Sequence, residues 1–138
     1  MNRKIFVVLF FGIMICVVGC SGKVQISGTV KYSDGAPVTR GNVVFESVDS
    51  SYFGVINKDG TYITGGNKQV EGIPKGIYKV WLAQTESSEN VLDENRTVVS
   101  YNITQKIAKK FTSSETTNLI FEVKPGGQKT FNIVVEKP

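Results

Sequence analysis

The chain has 138 residues, 41% of them hydrophobic and 20% charged, with a formal net charge of +4. That length suits one domain, and that composition belongs to a folded chain. Histidine is absent, which removes the commonest metal ligand and the commonest general base at neutral pH. Both cysteines lie within the first twenty residues, so the remainder has neither a disulfide nor a thiol nucleophile.

Residues 1–4 form a short positive n-region, Met-Asn-Arg-Lys. Ile5 to Val18 is an uncharged, almost wholly apolar run. It is shorter than the roughly 20 residues a membrane span needs. Length and flanks together predict a secretory signal over residues 1–19. The run closes on Val17-Val18-Gly19-Cys20, which resembles the lipobox of bacterial lipoproteins. In that family a peptidase cuts before a Cys whose sulfur already carries a diacylglycerol. The resemblance implies cleavage after Gly19, lipidation of Cys20 with palmitate-type chains, and a short tether over residues 20–23. Cys16 has no role in the motif. The implied location is the bacterial cell envelope, lipid-anchored and facing the periplasm or exterior. Ser21 is not the Asp linked with inner-membrane retention, which favours the outer membrane. Losing Arg3 and Lys4 lowers the charge from +4 to +2. The basic pI therefore carries no nucleic-acid inference.

From Val24 onward the pattern is β. Val24, Ile26, Val30 and Tyr32 share one face of an alternating strand, and Gly28 falls on that same face, where it marks a bulge or the close approach of another backbone. Ser33 to Pro37 is turn chemistry, with Gly35 and Pro37. Gly41 to Ser47 is a second strand. Tyr52 to Ile56 and Thr61 to Thr64 flank Asn57-Lys58-Asp59-Gly60, a hairpin signal. After a Gly72–Gly76 turn, Ile77 to Ala83 is a strand with Tyr78, Val80 and Leu82 inward. The last two strands, Leu119 to Val123 and Thr130 to Val135, are joined by Pro125-Gly126-Gly127. The sum predicts an all-β fold, an antiparallel β-sandwich of about seven strands over residues 24–138.

One excursion departs from this. Gln84 to Thr97 is polar, with Glu86, Glu89, Asp93 and Glu94 against Arg96, and reads as a mobile loop. Val98, Val99 and Tyr101 are compatible with a strand. Ile103, Ile107 and Phe111 recur at spacing four, which fits a short amphipathic helix around 104–111.

Three pieces, taken in order, resemble the carboxypeptidase-regulatory-like, or transthyretin-like (Ig-like), β-sandwich. They are Gly28-Thr29-Val30 through Asp34-Gly35, Pro37-Val38 and Gly41 to Val44; Asp59-Gly60-Thr61-Tyr62; and Pro74-Lys75-Gly76-Ile77-Tyr78-Lys79-Val80. The resemblance runs from about Val24 to Leu82. It implies an accessory, binding or structural module without catalysis. In it Gly35, Gly60 and Gly76 are turn residues, while Tyr62 and Tyr78 offer a ring to the core and a hydroxyl to nearby backbone. Enzymes on related sandwiches use histidines, which this chain lacks. No Ser-x-x-Lys, nucleophile elbow or phosphate loop is present. The Asn57–Gly60 segment resembles the start of a calcium loop but lacks its later acidic ligands. The expectation is no enzyme, no cofactor and no metal.

Trp81 is the most informative side chain. Alternation places it on the outer sheet face with Ile77. There it either contacts a ligand or is covered by residues 98–111 folding back. Two functions follow. The first is a non-catalytic envelope lipoprotein displaying the sandwich as a structural or binding module. The second is a receptor for a small ligand or glycan, using Trp81, Ile77 and the 84–111 excursion. The candidate partners are the membrane, through the anchor, and an envelope protein or glycan; nucleic acid is not among them.

Overall fold

Period-two alternation becomes strands wherever one face can be buried. The computed structural model describes residues 22–65 and 72–138, and those residues form eleven strands. They are β1 (Lys23–Val24), β2 (Ser27–Tyr32), β3 (Asn42–Glu46), β4 (Ser51–Val55), β5 (Thr61–Ile63), β6 (Ile73–Pro74), β7 (Gly76–Ala83), β8 (Ser87–Leu92), β9 (Val98–Thr104), β10 (Leu119–Val123) and β11 (Ile133–Val135). A four-stranded sheet runs β10-β7-β3-β4, and a three-stranded sheet runs β11-β2-β5. Two pairs, β1-β6 and β8-β9, stand beside them. The signal segment, Cys16 and Cys20 lie outside the described residues.

The two larger sheets face one another across the core. Val43 and Phe45 of β3, Tyr78, Val80 and Leu82 of β7, and Phe121 and Val123 of β10 point inward from one sheet. Ile26, Val30, Tyr62, Ile133 and Val135 point inward from the other side. Phe45 meets Tyr62 across the gap, ring centroids 6.3 Å apart, and Phe121 meets Phe131 at 4.8 Å. Each fully buried aliphatic or aromatic side chain contributes on the order of 1.5–3 kcal/mol.

Four expectations change. The pairing is not wholly antiparallel: β11 runs parallel to β2, with Ile133 beside Val30 and Val135 beside Tyr32. The Asn57–Gly60 turn forms locally, Asn57 N–H reaching the Thr61 carbonyl at 2.8 Å, yet it joins two different sheets. β4 pairs with β3 and β5 with β2, and the chain after β5 meets β4 through a bridge between Gly54 and Thr64 and a Gly65 N–H bond to the Phe53 carbonyl. The segment read as a polar loop, 84–97, is instead mostly a strand and a tip. β8 pairs antiparallel with β9, from Ser87–Thr104 to Leu92–Val98, with an irregularity between Val91 and Leu92. The helix around 104–111 reduces to one 3-10 turn, Lys109–Phe111. Ile103 belongs to β9, whereas Ile107 and Phe111 close the core. The Ala108 N–H, bonded to the Glu136 carbonyl at 2.8 Å, ties that segment to the chain after β11.

The strands give the domain two ends. β1 pairs with β6 immediately before β7 opens at Gly76, and Val123 lies beside Gly76 there. β7 has eight residues and so runs roughly 26 Å to Ala83, which lies beside Asn42. The β8–β9 ribbon leaves from that far end, away from the entry of the chain at Gly22.

Candidate functional site

The outer face of the four-stranded sheet carries Trp81, as alternation requires. Trp81 lies between Val44 of β3 and the next strand's edge, and Phe53 of β4 stands opposite Val44. The three side chains therefore form one cross-strand row. The indole is half-buried, and its N–H donates to the Glu46 carboxylate at 2.8 Å. That bond fixes the ring against the sheet and satisfies its one polar atom. Ile77 shares the face, two alternations away, and is 67% exposed. Residues 98–104 pair with β8 and are exposed throughout, so they do not cover Trp81.

Beside Ile77 lies a shallow groove of about 430 Å³, lined by Glu46, Lys79, Ile120 and the Ser47–Val48 turn among others. The sequence reading missed Phe53, which is 57% exposed, and Ile120. Their signal was the outward register of β4 and β10, which became visible only once the pairing partners were known. A second groove, about 490 Å³, lies at the β1 end between Lys23, Ile63, Pro125 and Lys129.

The motif residues sit apart from this face and hold the fold. Tyr62 buries its ring and donates its hydroxyl to the Phe131 carbonyl at 2.6 Å; burial raises its pKa. Tyr78 likewise donates to the Pro74 carbonyl at 2.8 Å. Gly28 lies opposite Tyr62, and a β-carbon on it would fall 2.0 Å from the Phe131 oxygen. The missing side chain therefore makes room for the carbonyl that Tyr62 grips. Gly60 adopts a φ of +84° against the Val30 carbonyl and Pro37, so the turn locks onto β2. Gly35 sits in the open turn after β2, and Gly76 begins β7.

Asp59 spends its carboxylate within its own turn. It accepts the Thr61 hydroxyl at 2.6 Å and the Thr61 N–H at 3.0 Å, and these bonds hold its pKa below the ordinary carboxylate value. Asp34 is held low in the same sense, by the Lys137 ammonium at 2.7 Å and then by the Ala36 N–H. Both carboxylates act as local clips.

No protein-family model matches this chain, and no curated protein matches it. Among solved structures, it is similar to part of BcpA, the major pilin subunit of Bacillus cereus. The TM-score is 0.44 at 16% identity, over 84% of this chain and 30% of the pilin. A variant of the same subunit gives 0.43 at 14% identity, over 83% of this chain. This chain thus spans 30% of the length of the pilin it superposes on. What stands is an all-β domain, structurally similar at low identity to part of a bacterial pilin.

Proposed function

We propose that the protein is a non-catalytic lipoprotein of the bacterial envelope, anchored through Cys20 and displaying a transthyretin-like β-sandwich as a structural or binding module. The observation that carries this reading is the Val17–Cys20 box at the end of an apolar run, only Ser21-Gly22-Lys23 before the buried Val24. Three residues extend at most about 10 Å. The anchor would hold the β1 end of the domain against the headgroups. The roles of the tyrosines and carboxylates support the absence of catalysis in this reading. The buried tyrosines grip backbone carbonyls, and the clipped carboxylates serve turns. Replacing Cys20 with Ser and fractionating cells tests the anchor. The expected result is release of the protein from membranes. Unchanged membrane partition would overturn the reading.

The second reading, a receptor for a small ligand or glycan, draws support from the groove beside Ile77 and from the exposed Phe53. Against it stands the Trp81 indole, whose N–H is already committed to Glu46. Trp81 is the single tryptophan, so its fluorescence reports this face directly. A spectral shift with one of a panel of envelope glycans favours the receptor; no response to any of them favours the structural module.

A further inference from the structure

The β8–β9 ribbon is the least explained part of the molecule. All seven residues of β9 are exposed, and among the described residues β8 and β9 form a sheet of two strands with no third. An isolated two-stranded ribbon is marginal in water. Its two faces differ. Register places Leu92, Val98, Tyr101 and Ile103 on one side, together with Ser88 and Asn90, and Glu89, Ser100, Asn102 and Thr104 on the other, together with Val91. Tyr101 is 64% exposed and Ile103 65%. The apolar side amounts to on the order of 400 Å², the size at which an exposed patch on a soluble protein marks an interaction.

We propose that this face is a self-association surface, on which the ribbons of two copies stack antiparallel about a two-fold axis near Tyr101. Charge selects the occupant and its direction. The tip carries Asp93, Glu94 and Arg96 and is net acidic. The base carries Glu86, Lys106, Lys109 and Lys110, the last paired with Glu136 at 2.9 Å, and is net basic. Antiparallel stacking sets each tip against the other copy's base, whereas parallel stacking sets acid on acid. The same stacking brings Leu92 and Val98 of one copy over Ile103 of the other. Two such faces bury on the order of 800 Å² of apolar surface, short of the roughly 1,000 Å² a specific interface clears, so the tip-to-base charge contacts are needed to complete it. A two-fold arrangement is self-complementary and stops at the dimer. An acidic tip at the end of the domain away from Gly22 does not suit a lipid surface. The inference does not depend on the anchor.

The test uses the full-length chain with Tyr101→Cys, treated in cells with a short bis-maleimide, and compares it with the parent. The neighbouring Asn102→Cys, on the opposite face, is the control. Both positions are exposed, so neither substitution touches the core. The expected result is a dimer-sized product at least five-fold stronger for Tyr101→Cys than for Asn102→Cys. Glu94→Lys should weaken that product at least three-fold, and Glu94→Lys with Lys106→Glu should restore it. Equal products at positions 101 and 102 would overturn the proposal. So would a cross-link to a protein of another size, or a charge exchange that fails to restore the dimer.

Discussion

Two buried threonines make opposite predictions for the same substitution. Thr64 and Thr85 are the buried polar side chains of the domain, among the described residues. The Thr64 hydroxyl accepts the N–H of Ile26 at 2.9 Å, and Ile26 is wholly buried. The Thr85 hydroxyl has no hydrogen-bond partner among the described residues, while its methyl packs on Gly41. Valine keeps the shape of threonine and removes the oxygen. Thr64→Val therefore strands a buried amide, at about 1–3 kcal/mol of stability. Thr85→Val relieves a hydroxyl that is desolvated without compensation, a gain of about 1 kcal/mol. The two variants should differ by about 2–4 kcal/mol. Urea unfolding followed by Trp81 fluorescence would resolve this. With slopes of about 1–3 kcal/mol per molar for a domain of this size, the midpoints should separate by about 0.7 M or more. The reasoning fails if Thr64→Val unfolds within about 0.5 kcal/mol of the parent, the scatter of an ordinary surface change. It fails equally if Thr85→Val is as damaging as Thr64→Val.

Gly28→Ala should lower stability by about 1–3 kcal/mol or more, because its methyl group meets the Phe131 carbonyl; a thermal melt matching the parent would refute the close approach. Asp34 and Asp59 have folded pKa values below 3.8, so the stability they supply is whole above that pH and is lost as pH falls through the lowered values. Acid unfolding of a double Asp34→Asn, Asp59→Asn variant should show less loss over that window than the parent; an identical loss would refute it. In limited proteolysis the first cuts should fall within 93–97, the ribbon tip, and leave the sheets associated; initial cleavage inside β2 or β7 would contradict the placement of the core.

Much of the fold was legible because burial on one side imposes alternation. Spacing alone places Tyr78, Val80 and Leu82 inward and marks Gly28 as a bulge or a close approach, of which the structure shows the close approach. What alternation cannot carry is the identity of a strand's neighbour. The Asp59-Gly60 turn signals a local reversal, and the reversal is there, but the strands it joins, β4 and β5, belong to different sheets. The parallel direction of β11 was hidden for the same reason. The spacing of Ile103, Ile107 and Phe111 imitated a helix because one residue ends a ribbon and the others plug the core. The ribbon itself resembles a loop because most of it is exposed, so its first strand and tip are free to be polar. For the outer face, the sequence named Trp81 and Ile77 but not Glu46, whose role depends on β3 lying beside β7.

The unpaired strand edges bear on how copies of this chain meet. The outer edge of the four-stranded sheet, β10, carries Glu122 and is followed by Lys124, joined as an ion pair at 3.5 Å. Charges on an edge discourage another chain from adding to it. At the other side of that sheet, the Gly54–Thr64 bridge draws β4 to the chain after β5. The edge of β11 is followed by Glu136, whose carbonyl is taken by Ala108. The sandwich is thus guarded on these sides. β9 has no charged residue from Val98 to Thr104, and β8 has only Glu89, on the polar face. The same chain that protects its main sheets leaves its ribbon unprotected, with Leu92, Val98, Tyr101 and Ile103 gathered on one face of it. Association through the ribbon follows more directly from this contrast than association through the sandwich. Tyr101→Cys and Glu122→Cys, cross-linked side by side, compare the two surfaces in one experiment: dimer at position 101 with none at 122 is expected, and the reverse would assign the contact to the sheet edge.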